Sequence, residues 1–78
     1  MATLAQLEPG QSGTVRRVTS LGRLGVRLME MGLVPGARVE LLKRAPLGDP
    51  LELRVAGYHL SVRKAEAGLV ELSGEVTT

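Results

Sequence analysis

Few residues in this chain could do chemistry, and none sits at a catalytic spacing. There is one His, His59, and one Asp, Asp49; there is no Cys. Without Cys the chain has no disulfide framework, no thiolate metal site and no Cys nucleophile. His59 has no Asp near it in sequence to orient an imidazole. Asp49, between Gly48 and Pro50, is expected to cap its own turn. Ser12, Ser20, Ser61 and Ser73 occur in no nucleophile-elbow context, and neither GxxxxGK[ST] nor GxGxxG is present. The chain is therefore expected not to be an enzyme. A hard or mixed metal site could draw on Glu30, Glu52, Glu66 or Glu71 together with His59. Each Glu is also explained as a solvated surface charge. The metal ligands worth naming are His59 and Glu30, as a weak site for Fe(II) or another divalent ion, shared between chains of a homo-oligomer.

Eight Arg and two Lys oppose eight acidic residues, for a formal charge of +2. The arginines are interleaved with Glu30, Glu40, Glu52 and Glu66, and no stretch forms a polybasic tail or recognition helix. One Tyr and no Trp or Phe cannot build a stacking platform for single-stranded nucleic acid. Nucleic-acid binding is not expected, and a barrel that did bind RNA would lose affinity steeply with salt. The opening residues MATLAQLEPG have no basic start and no long apolar run, and no segment approaches a membrane span. A cytoplasmic protein without membrane insertion is expected.

The elements are set out by Gly and Pro. Pro9-Gly10 and Pro35-Gly36 suit the central positions of type II turns. Residues 45–50 (APLGDP) read as a rigid loop, and Gly57-Tyr58 as a type II′ hairpin turn. Between them lie short apolar runs, the pattern of a small antiparallel β domain. The hairpin over 51–64 would pair Val55 with Leu60, Leu53 with Val62, Arg54 with Ser61 and Glu52 with Arg63. Residues 38–44 alternate through Val39 and Leu41 and break phase at Leu42. Residues 13–19 put Val15 and Val18 on opposite parities. Both breaks suit the bulges by which a small barrel bends its strands. A last strand is expected at 69–72 and a frayed tail over 73–78.

Residues 22–31 read as a helix, with Leu24, Leu28 and Met31 at helical spacing and Leu21 just before. Gly32 can take the left-handed position and Leu33 can pack back on Leu28, as a Schellman cap requires. The helix also carries Val26 and Met29, three apart, away from that stripe. Either a broad apolar face covers the barrel end, or Val26 and Met29, with Arg23 and Arg27, form a partner surface.

The string RLMEMGLVPG at 27–36 resembles the signature of the ferrous iron transport protein A (FeoA) family. The resemblance runs from Leu4, Leu7, Pro9 and Gly10 through Val39, Glu40 and the loop 45–50. It continues through Leu53-Arg54-Val55, Gly57-Tyr58, Leu60-Ser61-Val62-Arg63 and Ala67. It implies a stand-alone, single-domain protein over 1–78: mainly β, an SH3-like antiparallel β-barrel with one short helix inserted after the first main strand. It also implies an accessory role in bacterial ferrous iron uptake, acting on the cytosolic G-protein region of the FeoB permease. A related domain ends some iron-dependent repressors. The family is described as transition-metal binding, but no family metal motif maps onto numbered residues here. An SH3-like barrel could suggest Pro-rich peptide binding; that groove needs aromatics, and this chain has Tyr58 alone. An alternative role is a weak transition-metal sensor acting as an oligomer.

Overall fold

The computed structural model describes residues 2–20, 22–74 and 76–77. Five strands form one antiparallel sheet: β1 (Ser12–Val18), β2 (Arg38–Arg44), β3 (Leu51–Val55), β4 (Tyr58–Val62) and β5 (Val70–Leu72), in the order β4-β3-β2-β1-β5. Helix α1 (Arg23–Glu30) lies between β1 and β2, and a one-turn helix α2 (Lys64–Ala67) between β4 and β5.

The sheet curls because two strands bend. The first half of β1 pairs with β2 through Ser12–Glu40 and Thr14–Arg38, and its second half pairs with β5 through Val15–Leu72 and Val18–Val70. The register shifts between Val15 and Arg17, and again in β2 between Leu41 and Lys43. These are the two breaks in alternation that the sequence displays. Each inserted residue raises the local twist, so β1 serves both neighbours and rolls the sheet around its apolar face. That face holds Val39, Leu41, Leu53, Val55 and Leu72, all buried, and is closed by Leu4, Leu7, Leu28 and Leu33. Leu and Val fill the core without one aromatic ring.

The N-terminal segment, with a 3-10 turn at Leu4–Gln6, is tied down by Arg44, whose Nη2 donates to the carbonyls of Ala5 (2.9 Å) and Leu7 (2.6 Å). Both type II turns form as expected. Gly10 and Gly36 take φ of 90° and 91°, and Gln11 N–H and Ala37 N–H donate to the carbonyls of Glu8 and Val34.

The β3–β4 hairpin departs from the expected register. Its two-residue loop is Ala56-Gly57, with Val55 opposite Tyr58, Leu53 opposite Leu60 and Leu51 opposite Val62. Ala56 and Gly57 both have positive φ, 51° and 83°, which is the type I′ pattern. Moving the register by two residues keeps every side chain on its face, so the apolar pattern cannot tell the two pairings apart. Tyr58 thereby joins the strand, and Glu52 faces Ser61 and pairs with Lys43 (3.7 Å), not with Arg63. Arg63 and Lys64 instead begin α2, a helix too short to show a period. The Arg63 N–H donates to Glu66 Oε1, and the Lys64 N–H to Asp49 Oδ1, both at 2.9 Å. Asp49 therefore caps α2, not its own turn.

The expected helix forms, with Gly22 as N-cap and Met31 as C-cap; Leu21, placed before it in the sequence reading, lies outside the described residues. The tail expected to fray from Ser73 is held at two points. Ser73 N–H donates to the Thr14 carbonyl (2.8 Å), and Thr77 bridges to Ser12. Glu75 and Thr78 lie outside the described residues.

Gly25 fixes how α1 meets the barrel. A Cβ at this position would stand 2.0 Å from the Ser20 carbonyl oxygen. Gly25→Ala is therefore expected to cost about 1–3 kcal/mol, because backbone meets backbone and the helix must shift. Gly74→Ala, open on all sides, should stay within about 0.5 kcal/mol. Urea denaturation midpoints of the two variants check this.

Candidate functional site

Helix α1 has two unlike faces, and the sequence around it explains why. Gly25 and Leu28 are buried, and Leu24 and Met31 pack against the core from partly buried positions. The C-terminus is locked by a complete Schellman motif: Leu33 N–H donates to the Leu28 carbonyl (3.2 Å) and Gly32 N–H to the Met29 carbonyl (3.0 Å). Gly32 takes φ 104°, and Leu33 follows into the core beside Leu28. The helix cannot rotate about its axis without removing Leu28 from the core.

With that face fixed, the other is presented to solvent. Val26 is 49% exposed and Met29 39% exposed. Val34, just after the cap and before Pro35, is 41% exposed and adds a third apolar side chain that the sequence reading missed. Its position before Pro35, which favours extended backbone, was the available signal. Arg23 and Arg27 are exposed on the same helix. Arg27 Nη2 reaches Glu66 Oε2 on α2 at 3.8 Å, while Arg23 forms no ion pair among the described residues. Of the two methionines on this stretch, Met29 is free for contact and Met31 packs on the core. The broad apolar face does not cover the barrel end; part of it is left outside.

The metal candidates are placed less favourably. His59 is exposed on β4, directly opposite the cationic Arg54 of β3, and Glu30 is exposed at the end of α1. Among the described residues, no three His, Asp or Glu side chains gather into a group that could hold an ion. The described residues form shallow recesses. One of about 270 Å³ is lined by Ser12, Arg38, Glu40, Arg54, Ala56 and Gly57, and one of about 250 Å³ by Arg27, Pro50, Ser61, Val62, Arg63 and Glu66. In the first, the Ser12 hydroxyl is held by Arg38 Nη2 (3.0 Å) and Thr77 Oγ1 (3.1 Å). Among the described residues, no helix is long and apolar enough to cross a membrane.

The match to known proteins spans nearly all of these elements. The model of the FeoA domain family matches residues 2–73. The chain belongs to the FeoA family. The solution structure of the FeoA protein of Chlorobium tepidum superposes with a TM-score of 0.84 at 36% identity, covering 97% of this chain and 69% of that one. FeoA of Stenotrophomonas maltophilia, solved in complex with zinc, gives 0.83 at 30% identity over 94% of this chain and 91% of that one. That protein is described as a prokaryotic SH3 domain protein and a candidate ferrous iron transport activating factor. The fold is thus the SH3-like barrel that the resemblance implied. A curated relative from Porphyromonas gingivalis, an iron(II) transport protein A/FeoB fusion protein, is 33% identical over 69 residues. The match takes in 88% of this chain and 8% of that one, so the FeoA domain is a small part of the fused polypeptide.

The division of α1 into an anchoring face and a free face is open to direct measurement. Val26→Glu and Met29→Glu are expected to change stability by less than about 1 kcal/mol. Leu28→Ala, on the same helix, should cost about 2–5 kcal/mol through the cavity it leaves. Thermal or urea unfolding of the three variants checks both figures.

Proposed function

We propose that this chain is an adaptor in bacterial ferrous iron uptake that docks, in the cytoplasm, on the cytosolic G-protein region of a FeoB-type permease. The observation that carries the reading is the exposed pair Val26 and Met29 on α1, with Val34 exposed just after the cap and Arg23 and Arg27 exposed on the same helix. Apolar side chains grouped on a rigid helix are a contact surface in search of a partner. Met29 can adapt its three rotatable bonds to that partner, and the two arginines favour an acidic rim around an apolar groove. The Porphyromonas gingivalis relative supports the choice of partner, since there the two proteins share one polypeptide. Covalent linkage makes even a weak contact effective by raising local concentration. A separate adaptor must instead bind from solution. To change iron flux it must also prefer one conformation of the permease, because equal affinity for two states shifts neither.

Calorimetric titration of the protein into the cytosolic region of FeoB tests the docking. Saturable binding is expected, weakened about tenfold or more in a folded Val26→Glu/Met29→Glu double variant. Equal binding by that variant would remove the α1 face from the reading, and no binding by the unsubstituted protein would remove the partner. A second reading, weak metal sensing by an oligomer through His59, is favoured by the zinc complex of the Stenotrophomonas maltophilia relative. Anaerobic titration with Fe(II) separates the two. Heat that His59→Ala abolishes would favour sensing, and a flat trace would leave the adaptor.

A further inference from the structure

The two edges of the sheet are finished differently. At β5 the N-terminal residues cover the edge: Thr3 bridges Glu71, and the Leu72 N–H donates to the Ala2 carbonyl at 2.9 Å. At β4, β3 lies on one side, and among the described residues no strand lies on the other. Val55 and Tyr58 flank the two-residue turn and form its closing hydrogen-bonded pair. Hydrogen-bonded pairs alternate with non-bonded ones along an antiparallel ladder. The pairs Leu53–Leu60 and Leu51–Val62 therefore bond as well, and the N–H and C=O groups of His59 and Ser61 point away from the sheet.

An open edge is normally blunted by charge, Pro or a bulge. The strand Tyr58–Val62 reads Tyr-His-Leu-Ser-Val, with no Lys, Arg, Asp, Glu or Pro, and it pairs with β3 without a register shift. Its order is also complementary to itself. Turned antiparallel about Leu60, it sets His59 opposite Ser61 of a second copy on the outer face. On the inner face it sets Leu60 opposite Leu60 and Tyr58 opposite Val62. No like charges meet, and four free backbone groups on each copy find partners. Tyr58, the chain's single aromatic, is 72% exposed. The recess of about 250 Å³ lined by Val62, Pro50, Ser61, Arg63, Arg27 and Glu66 adjoins the position it would face. The exposed Pro50 offers its ring apolar contact, and Glu66 and Arg63 offer its hydroxyl polar partners.

We propose that the chain pairs with a second copy of itself along β4, edge to edge about a two-fold axis at Leu60, joining the two sheets into one. The contact is isologous, as a two-fold dimer requires. Five residues per strand make a small interface, so the dimer assembles only at high protein concentration.

Sedimentation equilibrium and amide hydrogen exchange across a dilution series test this on the unsubstituted protein. The mass should rise toward that of a dimer with concentration, and the amides of His59 and Ser61 should gain protection together with it. Ser61→Pro removes one of the free donors at an edge position that tolerates Pro, and should abolish the dimer. Leu60 and its symmetry mate would be a non-hydrogen-bonded pair about 4.5 Å apart, close enough for a disulfide. Leu60→Cys should therefore oxidise to a covalent dimer far faster than Leu47→Cys, a control at a fully exposed loop position. A protein that stays monomeric to about 1 mM, in the weakest range of specific association, overturns the proposal. So does a dimer in which the His59 and Ser61 amides stay unprotected, or equal crosslinking from positions 60 and 47. If Ser61→Pro fails to fold, the exchange and crosslinking results decide.

Discussion

The anchoring of α1 is the constraint on which the rest of the molecule depends. A barrel built from Leu and Val, with no aromatic ring in its core, needs one more apolar surface to close it. Leu28 and Leu33 supply that surface, and they can do so together only because the chain reverses sharply between them. Gly32 makes the reversal at a φ of 104°, and both Schellman hydrogen bonds follow from it. Gly25 sets the depth of the helix against the Ser20 carbonyl. With Leu28 committed to the core, the positions of Val26 and Met29 are no longer free to vary. Their exposure is the consequence of a packing decision made on the opposite side of the same short helix.

Features governed by nearest neighbours along the chain were legible in the sequence. The two Pro-Gly turns, the helix with its Gly32 cap, and the bulges at Arg16 and Leu42 each rest on local backbone chemistry or on a break in alternation. What depends on distant residues was not. The hairpin register slipped by two because that shift keeps Leu53, Val55 and Val62 facing inward, and Ala56 carries none of the Asn or Gly signal of a type I′ turn. Helix α2 is shorter than any period. Its cap, Asp49, comes from a loop fifteen residues away. The grip of Arg44 on the Ala5 and Leu7 carbonyls joins segments more than thirty-five residues apart, and the same is true of Thr77 on Ser12.

The candidate surface was half legible. Spacing marks Val26 and Met29 as lying off the core stripe, but only the packing of α1 shows that they stay exposed among the described residues. It also shows Met29 and Met31 divided between the two faces, Val34 exposed just after the cap, and Arg27 tethered to Glu66. For a metal site the sequence offers one His and no Cys. The pairing of His59 with Arg54 gives a cation no encouragement there.

The most direct measurement is an amide-resolved NMR titration of the labelled protein with the cytosolic region of FeoB. Docking through α1 predicts that the resonances of Val26, Arg27, Met29 and Val34 shift or broaden first, while the buried strand residues Val39 and Leu53 stay in place. Perturbation confined to the far strands, with the α1 resonances unmoved at saturation, would contradict it.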